Sequence, residues 1–300
     1  RWYGSAYYCE IPEFYTRCRP IIMSQSLREY YQISAKKKLG QNFLTDENKL
    51  QIIAQAYPLA GKNVIEVWPG YGALTEYILQ EHPTSLDLIE LDRDMIAILE
   101  DRLDPVSAYP LMTEWSTVQI LHKDVLKLEQ IPEKSIIVAN IPYYITSPIL
   151  THFLMHLHSH VDAMVIMMQR EVAEKILAKK WKHSYLSISC HLFCSEISLV
   201  TNVPASSFVP APKVDSSVLL FTTAGLNDEE LIYKQKILQL ASHGFKEPRK
   251  KMISNLAKYG KWEKSELLKI LNQLGLNENL RAEDLSVENW DDLYQQIILI

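Results

Sequence analysis

From residue 62 onward, short apolar runs rich in β-branched residues alternate with stretches of helical periodicity, and this alternation constrains the fold more than any other feature. "NVIEV" at 63–67, "SLDLIEL" at 85–91, "VQILH" at 118–122, "SIIVAN" at 135–140 and "DAMVIMM" at 162–168 each read as a strand. The spacing between them predicts helices near 73–81, 93–103 and 147–157. Strand and helix in regular succession imply crossovers. The class is therefore α/β, a Rossmann-like, mostly parallel sheet with helices on both faces. The prolines of "VPASSFVPAPKVDSSVLLF" punctuate two further strands. Past about residue 225 the pattern becomes wholly helical, with "ELIYKQKILQLA", "KMISNLAKY", "SELLKILNQLG" and "VENWDDLYQQIILI" as four candidate helices. We expect an α/β domain over 35–224 and a small all-helical domain over 225–300. Residues 1–34 show no clear periodicity and the first methionine is Met23, so this stretch reads as disordered or over-extended, with translation expected to start at Met23.

An apolar content of 47% over 300 residues can build a large core. Apolar stretches such as "AMVIMM" fall far short of the roughly 20 residues that cross a bilayer, so no membrane span is expected. Four cysteines without C-x₂-C spacing do not resemble a disulfide framework or a zinc site. Cys190 and Cys194, around His191, read as ordinary buried cysteines; no metal is expected, and the compartment expected is the reducing cytoplasm. A formal net charge of −5 argues against uniform attraction to nucleic acid, yet "KKK" at 36–38, "KILAKKWKH" at 175–183 and "KEPRKK" at 246–251 are local basic clusters.

In an open α/β sheet a ligand binds beyond the carboxyl ends of the strands, where glycines let backbone approach it and helix N-termini face it. Gly70 and Gly72 occupy that place in "VIEVWPGYGALT", but Thr75 stands where a dinucleotide fingerprint needs its third glycine. Glu90 ends the second strand 20 residues after Gly70 (90 − 70), where a carboxylate can accept from ribose hydroxyls. Asp124, just past the third strand, is placed to accept from an adenine amino group. Singly, each acid reads equally well as a helix cap. The sharpest motif is "NIPYYITSPIL" at 140–150. Tyr143 offers a stacking face for a base, while Asn140 and the Pro142 carbonyl offer acceptors for its exocyclic amine, and the proline fixes their arrangement.

These motifs resemble those of the ribosomal RNA adenine dimethyltransferases, which use S-adenosylmethionine and modify small-subunit RNA. The likeness runs over about 36–300. "KKKLGQNFL" resembles the family's cofactor lid, "VIEVWPGYGALT" its glycine loop, "LDLIELD" its ribose acid, "HKDVL" its adenine acid and "NIPYYITSP" its catalytic loop. "MMQREVAEKI", "VPASSFVPAPKVDSSV" and "FKEPRKKMISNL" match further segments. The resemblance implies that Asn42, Leu44, Glu90, Asp124 and Asn140 contact the cofactor beside the loop holding Trp68 and Gly70. It implies catalytic roles for Asn140, Pro142 and Tyr143, and has Phe208 join Tyr143 around the target base. Lys246, Arg249, Lys250 and Lys251 would hold the RNA backbone. The implied partners are small-subunit ribosomal RNA and a pre-ribosomal particle, met by a monomer. Ile141 replaces the family's more usual leucine and also suits relatives that methylate large-subunit RNA. A nicotinamide oxidoreductase fails at Thr75.

Trp68 is the other departure. A glycine there would let the cofactor lie against the backbone, whereas an indole fills space and excludes positive-φ conformations. Either the chain is a non-catalytic assembly factor, or position 68 is glycine in the cell and UGA has been decoded here as tryptophan. The second is expected, because 9 glycines in 300 residues fall below the usual share of about 7%, and Trp181 and Trp262 stand in polar, loop-like contexts.

Overall fold

The computed structural model describes residues 24–111, 113–178 and 183–299. The expected over-extension therefore lies mostly outside the described residues, as does Trp181. Part of it does fold. Helix α1 (Ser24–Tyr30) buries Leu27 in a small cluster with Phe43, Tyr71 and Met95, so the stretch read as disordered is ordered from Ser24 onward.

Nine strands are described: β1 (Phe43–Leu44), β2 (Asn63–Val67), β3 (Ser85–Glu90), β4 (Thr117–His122), β5 (Ser135–Asn140), β6 (Val161–Gln169), β7 (Cys194–Val203), β8 (Phe208–Val209) and β9 (Ser216–Thr223). The described helices after α1 are α2 (Glu47–Ala54), α3 (Ala73–Gln80), α4 (Arg93–Leu103), α5 (Thr146–Thr151), α6 (Arg170–Leu177), α7 (Tyr185–Phe193), α8 (Asp228–Gly244), α9 (Met252–Asn255), α10 (Lys264–Gln273) and α11 (Val287–Ile297).

Seven strands form one sheet in the order β4-β3-β2-β5-β6-β9-β7, and β1 pairs with β8 in a two-stranded sheet of its own. The first five are parallel, while β9 runs antiparallel to both β6 and β7. The chain leaves β2 toward β3 and β4 on one side and returns to β5 on the other. The strand order thus reverses between β2 and β5, and the carboxyl ends of those strands flank a crevice.

Alternation within the strands separates two apolar layers. Val64, Leu88, Val138 and Val165 face one way, packing on Leu50 of α2, Ile78 of α3 and Leu99 of α4. Ile65, Ile89, Ile137 and Ile166 face the other, packing on Ile149 of α5 and on the helices beyond residue 225. Trp290 of α11 is fully buried there, and a Cβ on Gly244 would overlap its indole, so this tryptophan belongs to the core. Trp262, expected in a loop-like context, is partly buried against the same core and packs edge-on to His243. Its surroundings suit an aromatic ring.

Besides α1, three helices and two strands go beyond the sequence reading, β1 being a two-residue strand. α7, "YLSISCHLF", buries Ile188, Cys190, Leu192 and Phe193 and so shows no clean polar face. α2 and α6 are short, and β7 precedes the proline-punctuated segment in which two strands were expected. Of those two, only β9 is long; β8 is a two-residue strand.

Candidate active site

A cleft of about 910 Å³, counted out to its solvent-open mouth, lies over the carboxyl ends of β2, β3 and β5. Asn42, Leu44, Trp68, Gly70, Glu90, Asn140, Pro142, Tyr143 and Phe208 all line it, from separate parts of the sequence. Asp124 does not. Its carboxylate accepts from the Leu126 N–H at 3.1 Å and caps the short 3-10 turn after β4.

The glycine loop joins β2 to α3. Gly70 and Gly72 have φ of +59° and +84°, in the left-handed region that side chains resist, and a Cβ on Gly72 would stand 2.8 Å from Arg102 Nη1. Trp68 also has a positive φ, 58°, an outlier for so bulky a residue that costs about 1–2 kcal/mol. Its N–H donates to the Ile89 carbonyl at 2.9 Å, which fixes the conformation, and its half-buried indole forms part of the cleft wall. The cleft stays open with the indole in place.

Glu90 is 4% exposed, and backbone holds it: the Leu91 and Asp92 N–H groups donate to Oε1 at 2.8 and 2.9 Å, and the Gly70 N–H donates to Oε2 at 3.2 Å. Burial raises its pKa, against those donors. Oε2 keeps acceptor capacity for a hydroxyl. The Asn140 side chain has no hydrogen bond among the described residues, so its amide is available at the end of β5. The Pro142 carbonyl already accepts the Ile145 N–H at 3.2 Å and keeps one lone pair. Tyr143 is anchored to the sheet, its hydroxyl 2.9 Å from Ser216 Oγ at the start of β9. The register of the small sheet sets Leu44 opposite Phe208, joining the segment before α2 to the one that carries Phe208 at the cleft.

Several residues of the site were not singled out from the sequence. Glu66 lines the cleft floor at 2% exposure, and an acid inside "VIEV" was its signal. Arg102, fully buried on α4, donates to the Tyr71 and Gly72 carbonyls at 2.8 and 2.9 Å and to Glu76 Oε2 at 2.9 Å, holding the glycine loop from beneath. Lys36 Nζ bonds Asp92 at 2.5 Å and Asp94 at 2.6 Å, and Gln41 Nε2 bonds Asp92 at 2.8 Å. Lys36 thus ties the chain before β1 to the start of α4, so this member of the "KKK" cluster is paired with acids. Replacing Arg102 by alanine would remove its hydrogen bonds to the Tyr71, Gly72 and Tyr109 carbonyls and its buried ion pair with Glu76. We expect a destabilisation of about 3–5 kcal/mol in urea unfolding, and a value below 1 kcal/mol would refute the clamp.

The polar set fits a nucleoside cofactor bearing a diol and a cationic end: Glu90 has a free acceptor position, Gly70 opens the backbone, and the Asn140 amide and the Glu66 carboxylate border the same cleft. A doubly wound, mostly parallel sheet with this cleft at its switch point is a Rossmann-like fold. Residues 32–298 match the ribosomal RNA adenine dimethylase family, and the chain belongs to that family. It is 36% identical over 296 residues to the ribosomal RNA small subunit methyltransferase A of Lactococcus lactis subsp. lactis (strain IL1403), covering 94% of this chain and 96% of that one. The protein of the same name from Staphylococcus aureus (strain JH9) is 36% identical over 292 residues, 91% of this chain and 93% of that one. Among solved structures, the fold is shared with a dimethyladenosine transferase from Plasmodium falciparum, at TM-score 0.69 and 24% identity over 86% of this chain and 98% of that chain. It is shared also with the 23S rRNA methyltransferase ErmE, at TM-score 0.64 and 23% identity over 86% and 100%. Among the described residues no helix is long and apolar enough to cross a membrane.

Proposed function

We propose that this chain transfers methyl groups from S-adenosylmethionine to the N6 amine of adenosines in small-subunit ribosomal RNA, giving N6-dimethyladenosine. The observation that carries this reading is the convergence of Asn140, Pro142, Tyr143 and Phe208 on the cleft that Glu90 and Gly70 border. When bound, the cofactor supplies an activated methyl group on a sulfonium. The protein's work is then positioning. Asn140 Oδ1 and the Pro142 carbonyl accept the two amine hydrogens and turn the nitrogen lone pair toward the methyl group. Tyr143 and Phe208 enclose the base, and the hydroxyl bond to Ser216 keeps the Tyr143 ring from swinging away. No general base is required, because the proton lost after transfer can leave to water. Within this reading the protein acts as a cytoplasmic monomer on a partly assembled small-subunit particle, with the helices beyond residue 225 holding RNA.

Lys246, Arg249, Lys250 and Lys251 are all exposed between α8 and α9. Replacing Arg249, Lys250 and Lys251 by alanine is expected to flatten the salt dependence of RNA binding, by about one unit of log–log slope for each phosphate that the variant no longer neutralises, while cofactor binding is unchanged. An unaltered slope would make this cluster a solvated face.

One observation favours a second reading. Trp68 in the cleft wall suits an assembly factor that keeps the fold and binds RNA without transferring methyl groups. Titration of the purified protein with S-adenosylmethionine separates the two, because the enzyme must bind it in the micromolar range and the assembly factor need not. Activity on large-subunit RNA, which Ile141 also suits, is tested by offering both RNAs.

A further inference from the structure

Glu66 lines the cleft from β2, and the methyl-transfer roles above do not use it. Its strand neighbours across the sheet are Leu88 and Val138, which bring no charge. Thr75 Oγ1 of α3 donates to Glu66 Oε2 at 2.6 Å. Oε1 meets no donor among the described residues, although the side chain lines the cleft. Two charged groups act on it from neighbouring elements: Glu90 at the end of β3 opposes ionisation, and Arg102 of α4 favours it. With Arg102 opposed by Glu90, a buried carboxyl that has one oxygen bonded and lines a ligand cleft gains a direct counter-charge only when a cation arrives.

Resting on the methyltransferase reading of the cleft, we propose that Glu66 is its charge-reading carboxylate: neutral in the empty cleft at neutral pH and ionised when the cationic cofactor is held. Each binding event then releases one proton from the Glu66 carboxyl to bulk water, leaving a carboxylate beside the sulfonium. The product S-adenosylhomocysteine lacks the sulfonium charge, so the same site holds it less tightly, which favours its exchange for fresh cofactor.

Burial pushes the Glu66 pKa up to about 8, against the Thr75 hydrogen bond. A bound cation lowers that pKa, so affinity for S-adenosylmethionine rises with pH by up to about tenfold per unit below pH 8 and levels off above it. Glu66→Gln removes the titrating group, leaving no pH slope and a reduced preference for the sulfonium over the thioether.

The test is calorimetric titration of the whole protein with S-adenosylmethionine and with S-adenosylhomocysteine, from pH 6 to 9, in buffers of different ionisation enthalpy. S-adenosylhomocysteine carries the same α-amino group and so controls for its titration. The expected result is release of close to one proton at pH 7 with S-adenosylmethionine, clearly less with S-adenosylhomocysteine, and none with Glu66→Gln. Thr75→Val, which removes the donor that favours ionisation, should move the levelling-off to higher pH and serves if the glutamine variant fails to fold. Binding without buffer-dependent heat, a pH slope that survives Glu66→Gln, or an unmoved profile in Thr75→Val would overturn the proposal and leave the methyltransferase reading intact. If neither compound binds, both fall together.

Discussion

Replacing Trp68 by glycine should tighten S-adenosylmethionine binding by about 10–100-fold, the equivalent of 1–3 kcal/mol of relieved crowding in a packed site. The backbone at this position already has φ of 58°, a conformation glycine enters at no steric cost. The N–H bond to Ile89 does not depend on the side chain and should persist. Removing the indole widens the cleft beside Gly70, where the loop backbone would otherwise meet the ligand. Thermal stability should hold or rise slightly, since the left-handed strain disappears. An affinity that stays the same or falls would show that the indole is a working part of the cleft. The same position decides the decoding question. We expect peptide mass spectrometry of the protein from its native cell to find glycine at 68, and tryptophan there would end the recoding idea. Among the described tryptophans only Trp68 has a positive φ; Trp262 is partly buried against the core and Trp290 is fully buried, so neither of those environments asks for glycine.

Asn140→Ala should slow methyl transfer by about a hundredfold or more while leaving the fold intact. The side chain forms no hydrogen bond within the described protein, so its removal strands no partner, and β5 keeps its backbone pairing to β2 and β6. What disappears is an acceptor that orients the amine. Single-turnover kinetics with saturating RNA isolate this step, and a variant with near wild-type rate would take Asn140 out of the mechanism.

The sheet was legible because strands buried on both faces read as continuous apolar runs, as in "SIIVAN" and "DAMVIMM". α7 was not, because a helix buried nearly all round carries no amphipathic period. Most of the cleft could be read from motifs near strand ends. Asp124 is the exception, and its side chain caps the following turn as an acid in that position often does. Arg102 and the pairing of Leu44 with Phe208 link residues far apart in the chain, and no local pattern in either partner announces the pairing. Glu66 was visible as an acid among β-branched residues, but only the structure puts it in the cleft floor.

Methyl transfer to adenosine in small-subunit RNA can be observed directly. The purified protein is given isotopically labelled S-adenosylmethionine together with unmethylated small-subunit particles, or with large-subunit RNA in parallel, and the RNA is digested and its nucleosides are resolved by mass spectrometry. Labelled N6-dimethyladenosine should come from the small-subunit substrate and vanish with Asn140→Ala. Particles that bind the protein but yield no labelled adenosine, from either position-68 form, would contradict the assignment.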